Sequence, residues 1–193
     1  MTKDIIAALR APTDADEHIR GILAVCRREG LSIPQMSYVL ATAHYESRVG
    51  QAMTDHSSGW AQEGRRDLGN TEPGDGRLYR GRGYVRIVGR ARYQRWAHLL
   101  GRPLIERPEL AADPGVAAEI LVRGMKLGEF TGHRLEDYLN PSTVDYLGAR
   151  RIIGQDDGAG LVAALARRVE ASLISEQTKV EPGPDVQLVQ RQL

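Results

Sequence analysis

Between Gly50 and Gly76 the sequence loses the rhythm it keeps almost everywhere else. Apolar residues recur three and four positions apart along most of the chain, but here they give way to Gly, Ser, Asp, Asn and Pro, with LGNTEPGDG at 68–76 dense in turn formers. A helical protein accommodates such a stretch as an ordered loop or small lobe between helices. Connections of this length without periodic structure of their own are more often functional than idle. The flanking segments supply the helices. Asp14 and Asp16 start one that runs to about Glu29, with Ile19, Ile22, Leu23 and Cys26 on one stripe and Gly30 past its end. Ser32 caps the next, Pro34 sits in its first turn, and Met36, Val39, Leu40 and Ala43 form its apolar side. YVRIV at 84–88 predicts a short strand, and Tyr93, Trp96, Ala97 and Leu100 predict a helix before Gly101. Asp113 with Pro114 begins a buried helix reaching Gly128. A further helix is predicted after Pro141 through Tyr146 and Ile152, and Val162, Leu165, Val169 and Leu173 mark the last. The fold class read from this pattern is mainly α, with a small irregular or β-containing lobe.

A chain of 193 residues, 41% of them hydrophobic, buries one substantial core, so residues 1–175 read as one domain. The polar stretch 176–193, with KVEPGPD inside it, reads as a linker or tail. A formal charge of +1 gives no reason to expect nucleic acid or a membrane surface as partner. Charge is concentrated locally, in Arg77, Arg80, Arg82, Arg86, Arg90, Arg92 and Arg95, interleaved with Tyr79, Tyr84, Tyr93 and Trp96. That segment suits a nucleic-acid surface, a carbohydrate cleft or a solvated face. Within it Arg82 and Trp96 read as structural, Trp96 as core. The single cysteine, Cys26, reads as core and suits a reducing cytoplasm; no signal peptide or membrane span is expected, and no metal cluster or cofactor is implied.

Continuing the stripe of the Ser32-capped helix three residues past Ala43 gives Glu46, a carboxylate in the last turn of a helix on its core-facing side. Desolvation and the negative helix end both favour its protonated form there, which is what a general acid requires. The structural alternative is a salt bridge at the helix end.

The run from Gln35 to Tyr93, through ATAHYES, EGRRDLGNTEPGDG and YRGRGYV, resembles the chitinase-like family 19 glycoside hydrolases, in particular their phage and prophage endolysin branch. YLGARRIIGQDD at 146–157 resembles the helix end that closes the family's catalytic domain and carries Arg150. The resemblance covers roughly 30–173 and implies a two-lobed, lysozyme-like fold with a catalytic cleft. It also implies cleavage of β-1,4 glycosidic bonds in bacterial peptidoglycan by an inverting, muramidase-like reaction, with chitinase or lytic transglycosylase as alternatives. A non-catalytic glycan-binding or phage structural protein is the reading from a different class. Glu46 is then the acid. A second carboxylate, roughly 6.5–9.5 Å away, activates water, and Asp55, Glu63 and, less well, Glu72 stand as candidates. His44, Tyr79, Arg80, Tyr84, Arg86, Arg92 and Arg150 are the candidate substrate-binding residues, His44 through an orienting hydrogen bond to a loop carboxylate. Arg86 and Arg92 stand where relatives carry Gln and Asn, which points away from plain chitin. The resemblance implies a monomer without stable membrane association, made in the host bacterial cytoplasm and reaching the wall by holin-type release or delivery from outside. Val186, Gln190 and Leu193 resemble the opening helix of a peptidoglycan-binding repeat, so the natural chain is expected to continue past Leu193 or end in a disordered tail.

Overall fold

The computed structural model describes residues 2–154 and 157–180. Among these residues the fold is mainly helical, with one two-stranded antiparallel sheet. The helices are α1 (Thr2–Leu9), α2 (Asp16–Arg28), α3 (Ile33–Ser47), α4 (Asp75–Leu78), α5 (Arg90–Leu100), α6 (Pro114–Leu127), α7 (Leu135–Tyr138) and α8 (Ala159–Val180). The strands β1 (Leu139–Asn140) and β2 (Thr143–Val144) form a minimal hairpin.

α3 is the central helix. Eight consecutive residues from Met36 to Ala43 are buried, a pattern that arises only when neighbours enclose a helix on all sides. Those neighbours are chiefly α8, with α2 and α6, and α1 covers another side of α8. The start of α3 is fixed by Gln35, whose Oε1 accepts from the Ser32 amide at 3.1 Å while its Nε2 donates to the Leu139 carbonyl at 2.8 Å. One side chain thus caps the helix and ties it to β1. α6 begins as its sequence requires, with the Asp113 carboxylate accepting from the amides of Gly115 and Val116. Cys26 is buried in this core, and burial pushes its thiol up to about 12.

A second apolar cluster gathers around α5, with Tyr79, Ile87, Tyr93, Trp96, Leu104, Ala111 and Ile120. Against it sits the Gly-rich segment, which is ordered mainly by internal polar struts. Buried Asn70 donates to the Gln62 carbonyl at 2.8 Å and accepts from the Arg90 amide at 2.9 Å. Buried Asp75 accepts from the amides of Thr71 and Glu72 and pairs with Arg90, whose guanidinium holds its carboxyl below the usual carboxylate range.

Three local expectations are corrected, and one helix is added to them. α1 has no counterpart in the sequence reading. Residues 83–86 form a turn closed by paired Arg82 and Ile87, so the β-branched and aromatic content of 84–88 marks burial and not a strand. Pro141 lies in the turn between β1 and β2, and after β2 the chain makes a short 3₁₀ helix, Gly148–Ile152, instead of an α-helix. α8 continues to Val180, so the boundary drawn after residue 175 falls inside it. The 182–193 motif lies outside the described residues. Among the described residues no helix is long and apolar enough to cross a membrane.

Candidate functional site

Glu46 stands in the last turn of α3, as the stripe predicts, but it is not alone. The Arg150 guanidinium of the 3₁₀ helix lies 2.8 Å from its Oε1; the Arg150 side chain is 1% exposed and that of Glu46 20%. Arg150 is also held by the Asp157 carbonyl, which accepts from its Nε at 3.0 Å, and by the Tyr45 ring, whose centroid is 4.8 Å from its Cζ. The Asp157 carboxylate adds a weaker contact at 3.7 Å. The result is a buried cation whose two anionic partners, Glu46 and more distantly Asp157, both reach solvent. The expectation of a carboxylate whose charge its surroundings disfavour is corrected: the salt bridge is present, its cation compensates the Glu46 charge, and that cation is the arginine assigned to substrate. Because Arg150 is buried, that direct substrate role is withdrawn. Tyr45, between His44 and Glu46 in ATAHYES, has no site role in the sequence pattern; its position next to Glu46 is the available signal.

Backbone conformation around Glu46 is unusual. Arg48 and Val49 both have φ of 51°, followed by Gly50 at 100°. A left-handed conformation is a true outlier for β-branched Val49, and each such residue costs about 1–3 kcal/mol. The turn redirects the chain sharply, and Thr54 then pairs with Arg82 while the Asp55 amide donates to the Gly81 carbonyl at 2.8 Å. The backbone at Gly81 runs close to its neighbours: a Cβ there would lie 3.2 Å from that of Arg86, a tight contact, and 3.4 Å from that of Asp55, an ordinary one. Asp55 accepts from the Ser57 amide at 2.8 Å and the Ser57 hydroxyl at 3.0 Å. These hydrogen bonds, with the positive charges of Arg86 and Arg80, hold its carboxyl below the usual range, so it is ionised at neutral pH.

Glu63 has a different task. Its two oxygens accept from the amides of Gly74 at 2.6 Å and Gly76 at 2.9 Å, bracing the start of α4. Both oxygens accept from backbone amides, which gives Glu63 a structural task and makes Asp55 the freer candidate for the base, and Glu72 is exposed on the same segment. Glu63→Gln replaces one acceptor with a donor facing an amide N–H, so it is expected to destabilise the protein by about 1–3 kcal/mol and speed amide exchange at Gly74 and Gly76. Urea unfolding and hydrogen exchange measure this; unchanged stability with lost turnover would return Glu63 to the base role.

The remaining candidates divide. Tyr79 is buried against Tyr93 and donates to the Ile105 carbonyl, and Tyr84 is buried with its hydroxyl 2.7 Å from His18 Nδ1. Both are interior residues, so neither offers a ring to a sugar. Arg82 reaches the Leu78 carbonyl and the Tyr93 hydroxyl, the structural role read for it. The Arg80 Nε donates to the Arg77 carbonyl. Arg86 is exposed beside Asp55, whereas Arg92 extends toward the Phe130 carbonyl at 3.5 Å, so the two replaced amides do not act together. Neither arginine pairs with the loop acids Asp67 and Asp75, which meet Arg65 and Arg90. His44 does not meet a loop carboxylate: burial, then the charges of Arg168 and Arg48, lower its pKa, and its Nδ1 has no hydrogen-bond partner among the described residues. Trp60, absent from the candidates above, is 80% exposed in the Gly-rich segment. A tryptophan with no apolar neighbour at helical spacing was the signal. Among the described residues no group of His, Cys, Asp and Glu could hold a metal ion. Compared with models of known protein families, the chain matches none.

Proposed function

We propose that this chain is a glycoside hydrolase of the bacterial peptidoglycan strand, inverting and muramidase-like, with Glu46 as general acid and Asp55 as the base on water. In this reading the fold is lysozyme-like, and the glycan lies between the helical body and the Gly-rich segment. The observation that carries it is the Glu46–Arg150 pair: a carboxylate with one edge in solvent, held at the end of a central helix by a cation that is itself buried. A buried arginine is a costly device, and orientation of a reacting group is a use that justifies it. Asp55 supports the reading from the other side, because its hydrogen bonds and neighbouring arginines keep it ionised, as a base must be. Exposed Trp60 offers the aromatic face that Tyr79 and Tyr84 do not. Arg86 is available for charge-assisted hydrogen bonds to the carboxylates of peptide stems, which murein has and chitin lacks. Arg92 has no part in this.

Digestion of purified murein, followed by mass spectrometry, tests the reading. Wild type is expected to release muropeptides with free reducing ends, and Asp55→Asn to lose about 10²-fold in turnover while still binding murein. Anhydro ends together with an active Asp55→Asn variant would identify a lytic transglycosylase, which needs only one acid. Binding without turnover on murein or chitin oligomers would identify a glycan-binding protein.

A further inference from the structure

Tyr38, Thr42 and Glu46 recur every fourth residue along α3, so they share one face of the helix. Tyr38 and Thr42 are fully buried, and Glu46 stands at the solvent end of this row. Across from the row lie the Arg150 guanidinium and the Tyr146 ring, which stacks on Tyr38 with centroids 6.1 Å apart. Thr42 lies beside the Tyr38 hydroxyl, and the Arg150 charge acts on that hydroxyl from the far side. Among the described residues the two terminal nitrogens of Arg150 make no well-aligned hydrogen bond although they are out of solvent, and the buried hydroxyls of Tyr38, Thr42 and Tyr146 make none either, with Tyr38 and Thr42 facing each other and Ser37 and Glu170 approaching Tyr146. Native interiors leave few such groups unpaired, and where protein atoms cannot pair them internal water does.

We propose that Tyr38, Thr42 and Tyr146 hold internal water against the inner face of the Arg150 guanidinium, and that this row positions the Arg150–Glu46 pair. The donor inventory fits. Arginine has five N–H groups in a rigid fork; Nε is engaged by the Asp157 carbonyl, one terminal nitrogen faces Glu46, and the other N–H groups require acceptors. Water accepts from them and donates to the hydroxyl oxygens of α3. When Glu46 gives up or regains a proton, Arg150 gains or loses an anionic partner, and hydroxyls and water that can rotate keep its remaining N–H groups bonded. The charged groups facing the row are Arg150, Asp145 and Asp157 from the segment around the 3₁₀ helix and Arg167 and Glu170 from α8. The effect on turnover rests on the glycosidase reading; the effect on Glu46 itself does not.

Thr42→Val keeps shape and removes the hydroxyl, Thr42→Ser keeps the hydroxyl, and Tyr38→Phe removes only oxygen. For each, steady-state kinetics on murein are set beside an NMR titration of the ¹³C-labelled Glu46 carboxyl and water-to-protein magnetisation transfer at residue 42. Thr42→Val and Tyr38→Phe are expected to lower kcat roughly tenfold with KM nearly unchanged, and to move the Glu46 titration midpoint. Thr42→Ser is expected to restore both, and wild type to show transfer from long-lived water. A wild-type Glu46 titration in Thr42→Val and Tyr38→Phe overturns the proposal, and so does a loss that Thr42→Ser fails to restore, which marks a packing effect. If wild type turns over no glycan, the glycosidase reading fails while the titration still decides the role of the row.

Discussion

Glu46→Gln is expected to lower murein turnover by at least about 10²-fold, equivalent to about 2.7 kcal/mol of lost transition-state stabilisation. The substitution keeps size, helix propensity and an oxygen that can face Arg150, but it carries no proton to give a departing sugar oxygen. Arg150 retains the Asp157 carbonyl at 3.0 Å and the Asp157 carboxylate at 3.7 Å. The cost in stability is therefore about 1–2 kcal/mol, less than leaving the guanidinium unpaired. That corresponds to a Tm lower by roughly 2–8 °C, so assays well below the transition separate lost chemistry from lost fold. Clearing of permeabilised cells, measured beside circular dichroism of the same preparation, reads both. A folded Glu46→Gln protein that clears cells at near the wild-type rate ends the assignment of Glu46 as the acid.

The sequence made some of this legible for a physical reason: repeated local pattern. α2, α3, α5 and α6 each present several apolar residues at helical spacing, and the Asp113–Pro114 start satisfies orphan amides with a residue type favoured at that position. α1 spans only Thr2–Leu9 and buries Ile5 and Leu9, too few positions to register as a period, and its stability comes from packing on α8. Glu46 was legible because a helix stripe makes a misplaced carboxylate conspicuous. Its partner was not, since nothing local distinguishes Arg150 from the other basic residues, and ion pairing between distant segments is a tertiary event. Tyr79 and Tyr84 misled for a related reason: an aromatic ring serves a core as well as it serves a sugar, and only burial separates the two uses. In the Gly-rich segment the turn formers were visible, whereas the roles of Asn70, Asp75 and Glu63 as internal struts depend on which amides the folded backbone brings to them.

Arg150→Met is expected to be the most destabilising single substitution at the site, costing about 3 kcal/mol and lowering Tm by roughly 6–12 °C. Methionine fills much of the volume of the arginine side chain, so the loss reflects charge more than cavity. Breaking a buried pair leaves the survivor uncompensated, but here the survivor, Glu46, is 20% exposed and can regain water, which keeps the cost at the low end of the usual range. The reverse truncation leaves Arg150, 1% exposed, without that recourse, which is why glutamine and not alanine is the informative change at 46. Arg150→Lys does not rescue, because an ammonium cannot present the fork that meets Glu46 and the Asp157 carbonyl together. Combining Arg150→Met with Glu46→Gln removes both charges, and the double variant is expected to be more stable than Arg150→Met alone, with a coupling of about 1–3 kcal/mol. Urea unfolding of the four proteins in the cycle supplies the numbers. A single Arg150→Met loss within about 0.5 kcal/mol of zero, or costs that add without coupling, would mean that the pair does not hold Glu46 in position.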